Sequence, residues 1–275
     1  MNRACFTKNA SLHEKNQHAG CIRPIKNNFV RMKTTYIILL VLISTITLSA
    51  INCNISTSSS GQDDGTTKKE TRTVEKFDGI GLDISADIKL TQGSPQSIVI
   101  EGRGKDLERI VTKMDGTSLT ITTTPGWHNM NKVTIYITME AVKDLHISGS
   151  GSITTEGPIN TNDLSLHVSG SGSVTIADLK AVNINSHISG SGSINLSGKD
   201  NGAKMHEMHI SGSGDINANG LATQVVEIHV SGSGNCKVNA SDKLVARVSG
   251  SGNVYYSGKP VVDANVSGSG RVKEM

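Results

Sequence analysis

The chain has 275 residues, with 27 Lys and Arg against 24 Asp and Glu and only 3% aromatic residues. Its formal charge of +3 is an N-terminal effect, because residues 1–52 hold seven basic and one acidic side chain and leave 20 basic and 23 acidic ones beyond, about −3. A mildly acidic domain excludes nucleic-acid binding driven by bulk charge, and the shortage of aromatics leaves few platforms for stacking on sugars.

Residues 1–31 are polar, basic and unpatterned, and read as an upstream extension ahead of a start at Met32; a long positive leader is the other reading. From Met32 the chain runs MKTTYIILLVLISTITLSAINC, with Lys33, an apolar core of about 15 residues and then small residues. That is a secretory signal peptide over 32–52, its core shorter than the roughly 20 apolar residues of a membrane-spanning helix. Cys53 is the expected lipidation site, although Asn52 stands where Gly, Ala or Ser is usual. The alternative is cleavage near Ala50 with a free thiol at Cys53. Asn54–Thr71 is rich in Ser, Thr, Gly and charge, so residues 53–71 are expected to form a flexible tether.

Residues 72–145 alternate as strands do: Ile80, Leu82 and Ile84; Ile88 and Leu90; Ile98 and Ile100; Leu119 and Ile121; Val133, Ile135 and Ile137. Turn signals at Gly93-Ser94-Pro95, Asp115-Gly116 and Pro125-Gly126 separate them. This part is read as early coils or a cap, with 72–275 forming one continuous domain. Asp106–Lys113 has room for one helical turn or two, and Glu101, Arg103, Lys105 and Asp106 read as a solvated turn.

Ser-Gly-Ser-Gly then begins at Ser148, Ser169, Ser189, Ser211, Ser231, Ser249 and Ser267, at intervals of 21, 20, 22, 20, 18 and 18 residues. A unit this short cannot bury its own apolar face, and a period near 20 marks a solenoid. Before each copy the residues alternate, as in Leu145-His146-Ile147-Ser148, which predicts a strand with one buried face. The glycine pairs Gly149/Gly151, Gly170/Gly172, Gly190/Gly192, Gly212/Gly214, Gly232/Gly234, Gly250/Gly252 and Gly268/Gly270 read as turn glycines that permit positive φ at a bend. The predicted class is all-β: a right-handed parallel β-helix over 146–275 with about 20-residue SGSG repeats. Of four cysteines only Cys236 lies in the repeats, at an inward position, so no disulfide can form inside the folded domain.

Lys76–Gly102 (KFDGIGLDISADIKLTQGSPQSIVIEG), Asp115–Ile121, Val133–Met139 and the SGSG series together resemble the auto-transporter adhesin "head GIN domain" family, over about residues 72–272. The resemblance implies a right-handed β-helix on an exported or lipid-anchored bacterial protein. It supplies no catalytic residues.

Five histidines, His146, His167, His187, His209 and His229, hold one place in consecutive rungs and form an outward ladder, a weak candidate for Zn²⁺ or Cu²⁺. No recurring carboxylate is expected beside them, the row ends at Arg247 and Asn265, and no metal or other cofactor is assigned. Scattered acids argue against a glycosidase pair or lyase. Trp127 and His128, in the turn 125–131, are candidate contacts for a glycan or protein ligand, against a Trp that plugs the end of the coil. The reading is a non-enzymatic binding or adhesion module of the cell envelope. It is an outer-membrane lipoprotein facing the surface or the periplasm, held to the membrane by its lipid, with an unknown glycan or protein ligand and no nucleic acid. Rung edges near Val272 offer homo-oligomer contacts. The alternatives are a periplasmic structural or envelope-stress lipoprotein and a carbohydrate-active β-helix enzyme.

Overall fold

The computed structural model describes residues 66–126, 131–199 and 202–275. Cys53, the signal segment 32–52, the extension 1–31 and the Trp127–His128 pair lie outside the described residues. No helix among the described residues is long and apolar enough to cross a membrane.

The N-terminal part runs β1 (Thr67–Arg72), β2 (Gly79–Leu82), β3 (Asp87–Gln92), β4 (Ser97–Arg103), a single helical turn α1 (Gly104–Leu107), β5 (Ile110–Asp115), β6 (Ser118–Thr123) and β7 (Thr134–Met139). The early rungs are β8 (Asp144–Ile147), β9 (Ser152–Thr155), β10 (Ile159–Asn160), β11 (Asp163–Val168), β12 (Ser173–Ile176), β13 (Leu179–Lys180), β14 (Asn183–Gly190) and β15 (Ser193–Ser197). The later rungs are β16 (Ala203–Gly212), β17 (Asp215–Gly232), β18 (Asn235–Gly250), β19 (Asn253–Ser257), β20 (Val261–Gly268) and β21 (Arg271–Glu274).

Two parallel stacks build the coil. The face that enters each SGSG corner stacks β6, β2, β8, β11, β14, β16, the second half of β17, the second half of β18 and β20. The face that leaves the corner stacks β7, β3, β9, β12, β15, the first half of β17, the first half of β18, β19 and β21. The right-handed wind is the hand that parallel crossovers take. Equivalent positions pair rung to rung, which turns sequence periodicity into columns. Leu145, Leu166, Ser186, Met208, Ile228, Ala246 and Ala264 form one inward column, and Ile147, Val168, Ile188, Ile210, Val230, Val248 and Val266 form another. Burying each such Ile or Leu contributes about 1.5–3 kcal/mol. Cys236 is a core residue, wholly buried, and that burial pushes its thiol up to about 12.

The N-terminal part does two jobs. β2 and β3 form a rung against β8 and β9, while β6 and β7 stack parallel on their other side. Antiparallel strands then close that end: β5 on β6, β4 on β7 and β1 on β4. Two expectations are corrected here. Residues 67–71 are not tether but strand, because β1 satisfies the outer edge of β4, and Arg72 donates to the carbonyls of Ile110 (3.0 Å) and Leu107 (3.1 Å). The turn after β4 is not fully solvated either, since Asp106 is 1% exposed and accepts a hydrogen bond from Asn131 Nδ2 at 2.9 Å. Only Gly104–Leu107 is helical, and Ile110 already begins β5.

The glycine pairs serve two separate needs, which corrects the expectation that both members of a pair are turn glycines with positive φ. The first glycine has positive φ at Gly190, Gly212, Gly232, Gly250 and Gly268, but not at Gly149 or Gly170. The second glycine has positive φ in no copy: not at Gly151 or Gly172, and not at Gly192, Gly214, Gly234, Gly252 or Gly270. These residues lie past the bend, directly before the strand that leaves the corner. Close approach keeps them glycine instead. A Cβ on Gly172 would lie 2.6 Å from Ile147 Cγ2 and 2.7 Å from the Gly151 carbonyl oxygen. The same clash recurs up the stack, with Gly192 against Val168, Gly214 against Ile188, Gly234 against Ile210, Gly252 against Val230 and Gly270 against Val248. The physical reason is that each second glycine packs on the inward Leu, Ile or Val that precedes the corner of the rung below, where there is no room for a side chain. The corners carry their own ladder, in which the Ser213 and Ser233 N–H groups donate to the Gly190 and Gly212 carbonyls, each at 2.8 Å.

Candidate functional site

The columns lay chemistry along the solenoid axis on two surfaces. The first is the histidine face. Register pairs His146 with His167, His187, His209 and His229 in turn. The ring centroids are 6.0, 5.8, 6.2 and 4.9 Å apart, and only the last pair is stacked flat, at 6°. Carboxylates do accompany the row, contrary to expectation. Two residues before each histidine runs an outward column of Asp144, Ser165, Asn185, Glu207 and Glu227. Glu207 Oε1 lies 2.8 Å from His209 Nε2. The spacing Glu-x-His recurs at 207–209 and 227–229, a signal visible in the sequence once strand register is known. Arg247 continues the row and grips Asp263 with two hydrogen bonds of 3.1 and 2.8 Å, holding that carboxyl below its usual range. A shallow cavity of about 430 Å³ lies here, lined by His187, His209, His229, Ser211, Ser231 and Arg247.

Among the described residues no three His, Cys, Asp or Glu side chains are grouped to hold a metal ion. Burial lowers the pKa of His167 from 6.5, against the opposing charge of Asp144, and the neighbouring His146 and His187 lower it further. The NMR-detected midpoint of His167 is expected below 6.5; a midpoint at or above that value would show that Asp144 outweighs burial.

The second surface is an axial cleft of about 830 Å³. Its lining comes from successive turns of the coil, with Asn160 from β10, Lys180 from β13, Lys204 from β16, and Thr223 and Gln224 from β17. Ala181, Ala203 and Ala222 line it between these groups. Small side chains at those positions leave the depth, and hydrogen-bonding and cationic groups flank it. The sequence reading passed over these residues, because they share no motif and meet only when turns of slightly different length stack.

The fold is therefore a β-solenoid with long polar surfaces and an N-terminal end closed by antiparallel strands. The chain belongs to the family described as "Putative auto-transporter adhesin, head GIN domain", whose model matches residues 76–260. No curated protein matches the chain. Among solved structures, a "putative adhesin" from Bacteroides fragilis is 24% identical with a TM-score of 0.73, covering 78% of this chain and 100% of that one. A "putative adhesin" from Parabacteroides distasonis is 25% identical with a TM-score of 0.61, covering 78% and 98%. A "putative lipid binding protein" from the same species is 21% identical with a TM-score of 0.65, covering 78% and 98%.

Proposed function

We propose that this chain is a non-enzymatic adhesion module of the bacterial envelope that holds an extended ligand, a glycan or a protein segment, along its axis. The observation that carries this reading is the 830 Å³ cleft, which crosses turn after turn and presents Lys180, Lys204, Asn160 and Gln224 outward. Contacts that are weak at each turn sum along such a surface. Export through the 32–52 segment and anchoring at Cys53 complete the proposal, and would place the cleft on the outer membrane at the cell surface or facing the periplasm.

The test is binding of the purified chain to panels of bacterial and host glycans and to extracellular proteins, repeated with Lys180→Ala/Lys204→Ala. A ligand bound by the chain is expected to lose roughly two- to thirtyfold in affinity in the double variant, since the two changes remove two charged contacts, each worth about 0.2–1 kcal/mol at an exposed site. Full affinity in the double variant would remove the cleft from the proposal. Turnover of any polysaccharide would overturn the non-enzymatic reading.

A further inference from the structure

β20 has a strand on one side only. β18 pairs with it without a break from Val261 to Gly268, and no described strand pairs with its outer side. Val262, Ala264 and Val266 continue the columns of Leu244, Ala246 and Val248, which are buried, yet Val262 and Val266 are 39% and 37% exposed. Val261 is 74% exposed.

Exposed sheet edges are normally blunted by Lys, Pro or bulges. The opposite end of this solenoid follows that rule: its outer strand β1 reads TKKETR, and β5 carries Lys113. β20 reads VVDANVSG and has none of these devices. Its one charge, Asp263, is already neutralised by Arg247 at 2.8 Å. An edge with core-type side chains, intact register and no net charge is built to be paired.

We propose that β20 pairs antiparallel with β20 of a second copy of this chain, about a two-fold axis through Ala264. The inward residues Val262, Ala264 and Val266 read the same in both directions about Ala264, as isologous pairing requires. Val262 then meets the partner's Val266, Ala264 meets the partner's Ala264, and Asp263 meets the partner's Asn265, an acceptor opposite an amide donor. Moving the axis to Asp263 would set two carboxylates directly opposite, which is destabilising. Moving it by half a residue would oppose inward with outward side chains. Head-to-tail stacking is disfavoured because the other end of the same stack is closed by antiparallel β5, which carries Lys113.

The experiment uses the full chain in mild detergent with Cys5, Cys21 and Cys53 replaced by Ser; Cys236 is buried and stays. Directly opposed residues have Cα atoms about 4.5–5.5 Å apart, within disulfide reach. Ala264→Cys is therefore expected to give an oxidised dimer. Val261→Cys alone should not, because each copy lies six residues from its equivalent, roughly 20 Å, whereas a mixture of Val261→Cys and Ser267→Cys should cross-link. Sedimentation equilibrium should show a dimer that Ala264→Arg converts to monomer. A chain that is monomeric throughout would overturn the proposal. So would a dimer that survives Ala264→Arg and cross-links equally at Val261 and Ala264. If Ala264→Arg fails to fold, the cysteine pattern alone decides.

Discussion

Replacing Gly212 by alanine is expected to lower the stability of the solenoid by about 2–6 kcal/mol, the sum of backbone strain and overpacking at about 1–3 kcal/mol each. Gly212 has φ of 125°, which side chains avoid, and its Cβ would fall 2.5 Å from the Gly190 carbonyl oxygen. That carbonyl is fixed, because it accepts the Ser213 N–H at 2.8 Å. Two companions separate the causes. Gly157→Ala has φ of 114° with nothing within 4 Å, so it carries strain alone, about 1–3 kcal/mol. Gly172→Ala meets Ile147 Cγ2 at 2.6 Å without a positive φ and carries the contact alone. Urea unfolding midpoints of the three variants check this. A loss at Gly212 no larger than at Gly157 would mean that the stacked corners yield, and that close approach is not what keeps glycine there.

The second large effect concerns acid. His206 is wholly buried in an inward column between Ile184 and Val226. Its Nε2 lies 2.8 Å from Ser186 Oγ, its Nδ1 has no hydrogen-bonding partner, and burial lowers its pKa from 6.5 to about 3. The folded state therefore refuses a proton that the unfolded chain accepts. Stability from this group is complete above pH 6.5 and falls as pH drops from 6.5 towards 3. The loss reaches at most about 5 kcal/mol, at roughly 1.4 kcal/mol for each tenfold change in proton affinity. Ser186→Ala/His206→Val restores two apolar columns and leaves no hydroxyl orphaned. Its unfolding free energy is expected to vary less between pH 7 and pH 4 than that of the unaltered chain. Because the surface histidines are common to both, identical pH profiles would show that His206 is not the acid-sensitive element.

The Ser186–His206 pair shows how sequence and structure divide the information. Ser186 stands where other copies of the repeat carry Leu145, Leu166, Met208 or Ile228, an irregularity plain in the sequence. Its compensation by His206 is not plain, because the two side chains meet only across adjacent rungs. The same holds for the cleft between Asn160 and Gln224. Short-range pattern determined the strands, the corners and the inward columns, since a period of two and a Gly-Ser-Gly bend are local properties of the chain. Why the second glycine of each corner must be glycine was not local, because the atoms that exclude a side chain at Gly192 or Gly214 belong to the rung below. The family, too, was legible in the order of its segments.

Three things were decided only by the tertiary structure: that β6 and β7 lie outside β2 and β3, that antiparallel strands close the N-terminal end, and that residues 67–71 belong to the sheet. None of these follows from local alternation, because a strand reads the same whether its neighbour runs parallel or antiparallel. Which edge it covers depends on which unpaired backbone groups the rest of the chain leaves to be satisfied.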